Sequence, residues 1–187
     1  MKFKSALLGV SAILLASSAQ AGVNILVNGG FENSGFGGTS SYYNVGTEPG
    51  TNSGGPDHPV PSDFGWTVSN GNVDIVANGV YGTYLADGGN YNLDLVGYGT
   101  TGEISQTLNT VAGETYDVSF QYSENAGISG PTAAVLVNGG AIGNVTGTSS
   151  WQTFTGSFLG TGAPTTFAIN ETYGANNGGV FFWTMSP

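Results

Sequence analysis

Four tyrosines, Tyr81, Tyr84, Tyr91 and Tyr98, surround the turn Asp87-Gly88-Gly89. A tyrosine has an apolar ring and a polar tip, which suits a half-wet surface. Such a ring can lie flat on the apolar face of a sugar while neighbouring amides and carboxylates hold the hydroxyl groups. Tyr81, Tyr84, Asn90 and Asn125 are therefore the candidate carbohydrate-binding residues. Tyr91 stands in phase with Leu93 and reads as core, and Trp66 and Trp151, at strand starts, read first as core aromatics. Catalytic chemistry finds little footing. Glycoside hydrolysis needs one carboxylate pair at a defined separation, and none of the 12 acidic residues sits in a recognisable catalytic motif. His58 is the only histidine and lies in a Pro-flanked loop, and there is no Gly-x-Ser-x-Gly elbow. The chain is expected to have no catalytic site.

The charge narrows the partners further. The only two basic residues, Lys2 and Lys4, precede the apolar run Ala6–Ala16, and Ala19-Gln20-Ala21 has the small-x-small form of a processing site. Residues 1–21 read as a signal peptide, with an uncleaved anchor as the alternative; the run is too short to span a membrane. The mature chain is expected to begin at Gly22, outside the inner membrane of a Gram-negative bacterium, secreted or at the cell surface. From Gly22 to Pro187 there is no Lys or Arg against 12 acids. Nucleic acid is excluded as a partner, because neutralising phosphates requires basic side chains. The mature length suits one domain. With no Cys, no disulfide staples it, so burial must hold it together.

The elements that must position these residues are strands. Ile104, Gln106 and Leu108 alternate with small polar residues, and so do Tyr116, Val118, Phe120 and Tyr122. A period of two puts one set of side chains on one face of a strand. Joined by Val111-Ala112-Gly113-Glu114, the two runs predict an antiparallel hairpin. Further strands are predicted at Val23–Val27, Val73–Ala77, Tyr91–Val96, Ala133–Val137, Ala141–Val145, Trp151–Phe158, Thr165–Asn170 and Val180–Phe182, and Asn138-Gly139 is the strongest hairpin turn. Residues 33–65 read as one long Gly/Ser-rich loop. Glycine, 33 of 187 residues, is more than twice its usual share of about 7%, as many tight turns require. One apolar face per sheet needs a second sheet to cover it, so the expected fold is an all-β jelly-roll β-sandwich.

Six stretches stand in an order that resembles a known family. They are Asn28-Gly29-Gly30-Phe31-Glu32, Gly65-Trp66-Thr67-Val68, Gly71-Asn72-Val73-Asp74, Asp87-Gly88 with Leu93-Asp94-Leu95, Ile104-Ser105-Gln106-Thr107, and Ala112-Gly113-Glu114-Thr115-Tyr116. Together they resemble the galactose-binding-like family DUF642, including the exported bacterial proteins of the choice-of-anchor type, and the first of them is similar to xylan- and glucan-binding modules. The resemblance implies a galactose-binding-like jelly roll, a surface or extracellular location and non-catalytic glycan association. It also implies structural calcium (Ca2+) as the one cofactor, with Glu32 and Asp87 as candidate metal ligands. A capping Glu32 and an Asp87 that serves only its turn are the alternatives. Family members end in a strand reading Leu-Asp-Asn-Val-Ser, where this chain has Trp183-Thr184-Met185-Ser186-Pro187. A one-base shift within the codons for Val180–Phe182 would convert one ending into the other, and the nucleotide sequence tests that. The expected function is thus a secreted polysaccharide-binding module. A structural protein of the extracellular matrix without a sugar site is the alternative, and a glycoside hydrolase comes third.

Overall fold

A computed structural model describes residues 23–33, 42–46, 63–77, 89–97, 100–125, 128–174 and 180–183, with backbone alone for 42–46 and 180–183. Among the described residues there are eleven strands and no helix. In chain order these are β1 (Tyr42–Gly46), β2 (Thr67–Asn70), β3 (Asn72–Ala77), β4 (Tyr91–Asp94), β5 (Glu103–Asn109) and β6 (Thr115–Glu124). They continue with β7 (Thr132–Val137), β8 (Gly140–Thr146), β9 (Gln152–Leu159), β10 (Pro164–Glu171) and β11 (Val180–Trp183). Two antiparallel sheets result, of order β1-β3-β4-β11-β6-β9 and β2-β5-β10-β7-β8. They are the two layers of an all-β jelly-roll sandwich.

The interior is aromatic and aliphatic. Phe31, Phe64, Phe120, Phe167, Ile75 and Leu93 are among the fully buried side chains, each contributing roughly 1.5–3 kcal/mol of transfer free energy. Trp66 joins the same core, its ring 5.8 Å from that of Phe31 and 6.3 Å from that of Phe167. Trp151 and Tyr91 pack against the core half-buried.

The strands of residues 102–123 form where alternation places them, but they do not pair with each other. β5 lies between β2 and β10, whereas β6 lies between β11 and β9 in the other sheet. The expected hairpin is instead an arch that crosses between the layers. Alternation fixes which side chains point inward, and Ile104, Leu108, Val118 and Phe120 do share one core. It does not say whether the next strand lies beside or opposite. The arch is held by the amide of Val111 donating to the Tyr116 hydroxyl (2.9 Å), and by the amide of Gly113 donating to the carbonyl of Gly160 (2.9 Å).

Two further differences concern the N-terminal third. Val23–Val27 forms no strand, and its last residue pairs with a side chain of β5 rather than with a ladder. The loop expected over 33–65 contains β1, paired along its length with β3. The Asn138-Gly139 turn is as expected: both residues have positive φ, of 50° and 78°, and they join β7 to β8.

At the side of the sandwich where β8 and β9 meet, Phe154 stacks on Phe120 with centroids 4.8 Å apart. A Cβ added at Gly143 would lie 2.6 Å from the Phe154 ring. Gly143→Ala is therefore expected to push the ring out of its place and to destabilise the fold by about 1–3 kcal/mol. Urea unfolding checks this, and an unchanged midpoint would show that the ring moves freely.

Candidate functional site

The stretch Asn28-Gly29-Gly30-Phe31-Glu32 builds a clasp. Asn28 and Phe31 both have positive φ, 50° and 59°, a conformation uncommon for asparagine and an outlier for a bulky residue. It is held by partners on all sides. The Asn28 amide donates to the carbonyl of Phe64 (2.9 Å), its Oδ1 accepts from the amide of Asn33 (2.9 Å), and its carbonyl accepts from Trp66 Nε1 (3.0 Å). Phe31 is buried against Phe64 and Trp66, which throws Glu32 outward.

The Glu32 carboxylate then reaches the chain just before β4. Its Oε1 accepts from the amides of Asn90 (2.6 Å) and Tyr91 (3.2 Å), and its Oε2 accepts from Asn90 Nδ2 (2.9 Å). A Cβ at Gly89 would lie 2.5 Å from Oε1, so any other residue there would push the Glu32 carboxylate away from its donors. N–H donors occupy both oxygens, the reverse of what a cation needs. No group of three or more metal-ligating side chains exists among the described residues. Asp87, the other candidate ligand, lies outside the described residues. Glu32→Ala is expected to lower stability by about 1 kcal/mol through the lost acceptors. Melting in EDTA and in calcium should report the same loss, and a loss seen only in calcium would make Glu32 a ligand.

Asn125 belongs to a different neighbourhood. Its Nδ2 donates to Asp94 Oδ2 (3.2 Å) at the end of β4, while Asn90 immediately precedes the start of that strand. The two candidate asparagines are separated by roughly 13 Å of strand, at about 3.3 Å per residue. Tyr81 and Tyr84 lie outside the described residues.

What Asn125 adjoins is a row across the six-stranded sheet. Register aligns Asp74 with Asp94, Asp94 with position 181, and position 181 with Ser123. Leu93 and Ile75, one residue along, are core, so this row lies on the outer face. The next row on that face contains Asn92 on β4, opposite Val76, and position 183 on β11, opposite Gln121. Asn92, Asp94 and Ser123 are buried despite lying on the outer face. Burial pushes the Asp94 carboxyl well above its ordinary value of 3.8. The amide of Val96 pulls it back, the carboxylates of Asp74 and Glu171 push it up, and the Asn125 amide pulls it down. A protonated Asp94 can donate as well as accept. The Ser123 hydroxyl has no hydrogen-bond partner among the described residues. Positions 181 and 183 are not singled out by the sequence, because Val180-Phe181-Phe182-Trp183 is uniformly apolar and lacks the polar–apolar alternation that marks one face of a strand.

The model of the family described as "Protein of unknown function (DUF642)" matches residues 24–183. The chain belongs to the DUF642 family. No curated protein matches it in sequence. Among solved structures, this DUF642 chain is similar to the C-terminal domain of EclA, a sugar-binding protein, at 23% identity and a TM-score of 0.43, over 53% of this chain and 77% of that one. It is also similar to the CBM22-1 xylan-binding domain of Paenibacillus barcinonensis Xyn10C, at 16% identity and a TM-score of 0.46, over 65% and 81%. A family 35 carbohydrate-binding module from Clostridium thermocellum matches at 13% identity and a TM-score of 0.42, over 64% and 84%.

Proposed function

We propose that this DUF642 protein is an exported, non-catalytic module that binds polysaccharide along the outer face of its six-stranded sheet. The observation that carries the reading is the make-up of that face. Positions 181 and 183 place a phenylalanine and a tryptophan on the central strand, between Asn92 and Asp94 on one side and Gln121 and Ser123 on the other. Aromatic residues flanked by the half-buried amides of Gln121 and Asn125 are what a sugar needs, since its rings offer apolar faces edged by donors and acceptors. The absence of Lys and Arg from Gly22 to Pro187 favours an uncharged polymer over an anionic one. Export rests on residues 1–21, whose charge and cleavage pattern are those of a signal peptide. Tyr81 and Tyr84 remain part of the proposal as further stacking residues, and calcium as an ion whose effect on retention is to be measured.

The test is retention on insoluble xylan, mannan and β-glucan, with calcium and with EDTA. Retention on at least one polymer is expected, reduced tenfold or more by Trp183→Ala and several-fold by Asn125→Ala, with the far-ultraviolet spectrum unchanged. No retention on any polymer would overturn the reading, and release of reducing sugar would replace it with an enzymatic one.

A further inference from the structure

Of the four strands at the sheet edges, β9 is the longest and the least guarded. β2 has four residues, and its ladder with β5 slips between Val68 and Asn70. The ladder of β8 with β7 slips between Val135 and Leu136, and β1 is five residues long. Short edges, irregular ladders, charges and prolines all discourage a further strand from pairing. β9 has none of these. Its eight residues pair with β6 without a shift, from Leu159 opposite Thr115 to Gln152 opposite Tyr122. It contains no charge and no proline. Among the described residues β6 is its one neighbour in the sheet, and the chain on either side of it, 147–151 and 160–163, is described throughout. β11 pairs with the far side of β6, so Trp183 is away from this edge. The Gly160 amide donates toward β6, to the carbonyl of Glu114 (2.8 Å). By alternation the amides and carbonyls of Thr153, Thr155, Ser157 and Leu159 point the other way.

We infer that β9 pairs antiparallel with β9 of a second copy of this chain, about a two-fold axis at Gly156. Charge selects that occupant. From Asn125 to Asn170, through β7, β8, β9 and most of β10, there is no acidic or basic residue, and all 12 acids lie outside that stretch. Two copies with no basic residue after Lys4 repel each other through every surface that carries carboxylates. The β9 edge carries none of its own. The nearest in the ladder is Asp117 on β6, opposite Ser157. Across the axis the two Asp117 residues stand three strand spacings apart, about 14 Å, beyond the screening length of roughly 8 Å. A basic or acidic strand from another protein finds no charge on β9 to recognise. The sequence of β9 also complements itself. Centring on Gly156 sets Thr155 opposite Ser157 of the second copy on the outer face. On the inner face it sets half-buried Phe154 opposite Phe158 of the second copy. Hydroxyl pairs and aromatic pairs are favourable cross-strand neighbours. A contact that uses the same surface on both copies closes on itself, so the product is a dimer and not a fibre. β9 lies two strands away from positions 181 and 183, so loss of pairing and loss of sugar binding are distinguishable.

Sedimentation equilibrium of the chain from Gly22 to Pro187 should show a reversible monomer–dimer equilibrium. It should tighten several-fold between about 20 mM and 500 mM salt, because screening removes the repulsion while the contact itself holds no charge. Hydrogen exchange should slow with protein concentration at the amides of Thr153, Thr155 and Ser157. It should stay constant at Phe154, Gly156 and Phe158, whose amides already face β6. Thr155→Pro removes an amide from the outer edge and leaves the β6 ladder its partners. Thr155→Asp, which keeps every amide, sets two carboxylates diagonally across the axis. Each should weaken the dimer tenfold or more with the far-ultraviolet spectrum unchanged, whereas Thr107→Asp, exposed on the other sheet, should leave it intact. A monomer at every concentration and salt level would overturn the inference. So would a dimer that survives Thr155→Asp, or one that protects amides elsewhere and not those of Thr153, Thr155 and Ser157.

Discussion

Gln106→Leu should lower the melting temperature by roughly 5–15 °C, the largest single effect expected of any polar substitution in the core. Gln106 points inward from β5 and is almost wholly buried. Its one amide makes three hydrogen bonds to main chain far away in sequence. Oε1 accepts from the amide of Val27 (2.8 Å), and Nε2 donates to the carbonyls of Val27 (3.0 Å) and Gly65 (2.9 Å). Leucine fills a similar volume but leaves all three groups without a partner, each at about 1–3 kcal/mol when buried. Partial access to water reduces the sum to roughly 2–4 kcal/mol. Gln106→Glu separates geometry from hydrogen bonding. At neutral pH it keeps the acceptor for Val27 but sets a carboxylate against two carbonyls, so it should be no better than leucine. In acid the protonated carboxyl regains one donor, and part of the loss should return. Circular dichroism melts at both pH values test this. A Gln106→Leu melt within 2 °C of wild type would show that the N-terminal segment docks without that amide.

The second large effect is on pH dependence. Asp94 in the folded chain holds its proton above the ordinary value of 3.8, because burial penalises its charged form. The folded state therefore binds more protons than the unfolded state in the window above 3.8. The sign follows: the favourable contribution is fully present below the unfolded value and is lost as pH rises through the folded one. Stability should fall from mildly acidic to alkaline pH, the opposite of a protein whose carboxylates are held by Lys or Arg. Repulsion among 12 acids with no basic residue after Lys4 acts in the same direction. Asp94→Asn keeps an acceptor for the amide of Val96 and removes the titration, so it should flatten the slope and exceed wild type at pH 8. Urea midpoints at pH 5 and pH 8 provide the measurement. Wild-type stability that rises across this range would contradict the assignment.

How far the sequence foretold the molecule depends on which level is asked about. Strand positions were legible, because side-chain alternation is a property of the strand alone, and Thr115–Glu124 and Thr132–Val137 fall where it put them. Trp66 was legible as core, since it stands at the start of a strand as an aromatic would that packs inward. Sheet membership was not. The arch at Val111–Glu114 and a hairpin have the same alternation and the same turn residues, and only the opposite layer distinguishes them. β1 was hidden because Tyr42–Gly46 sits among Gly, Ser and Thr, and it gains its ladder from β3 rather than from its own propensity. At the candidate sites, Asn90 and Asn125 were grouped by proximity to turns, yet pairing sends one to Glu32 and the other to Asp94. Glu32 could be singled out from its motif, but its partner lies 58 positions away, beyond any local pattern.

The order of the strands bears on how the chain acquires its shape. β10 sits in the middle of one sheet, between β5 and β7, and β11 sits in the interior of the other, between β4 and β6. Neither layer can become continuous until the last quarter of the polypeptide has been made. Until then the sheets exist only as separate pieces, β1 with β3 and β4, β2 with β5, β7 with β8, and β6 with β9. Ladders that wait for distant partners form slowly. A nascent chain of this design stays pliable throughout synthesis, and its two halves lock together in one late event.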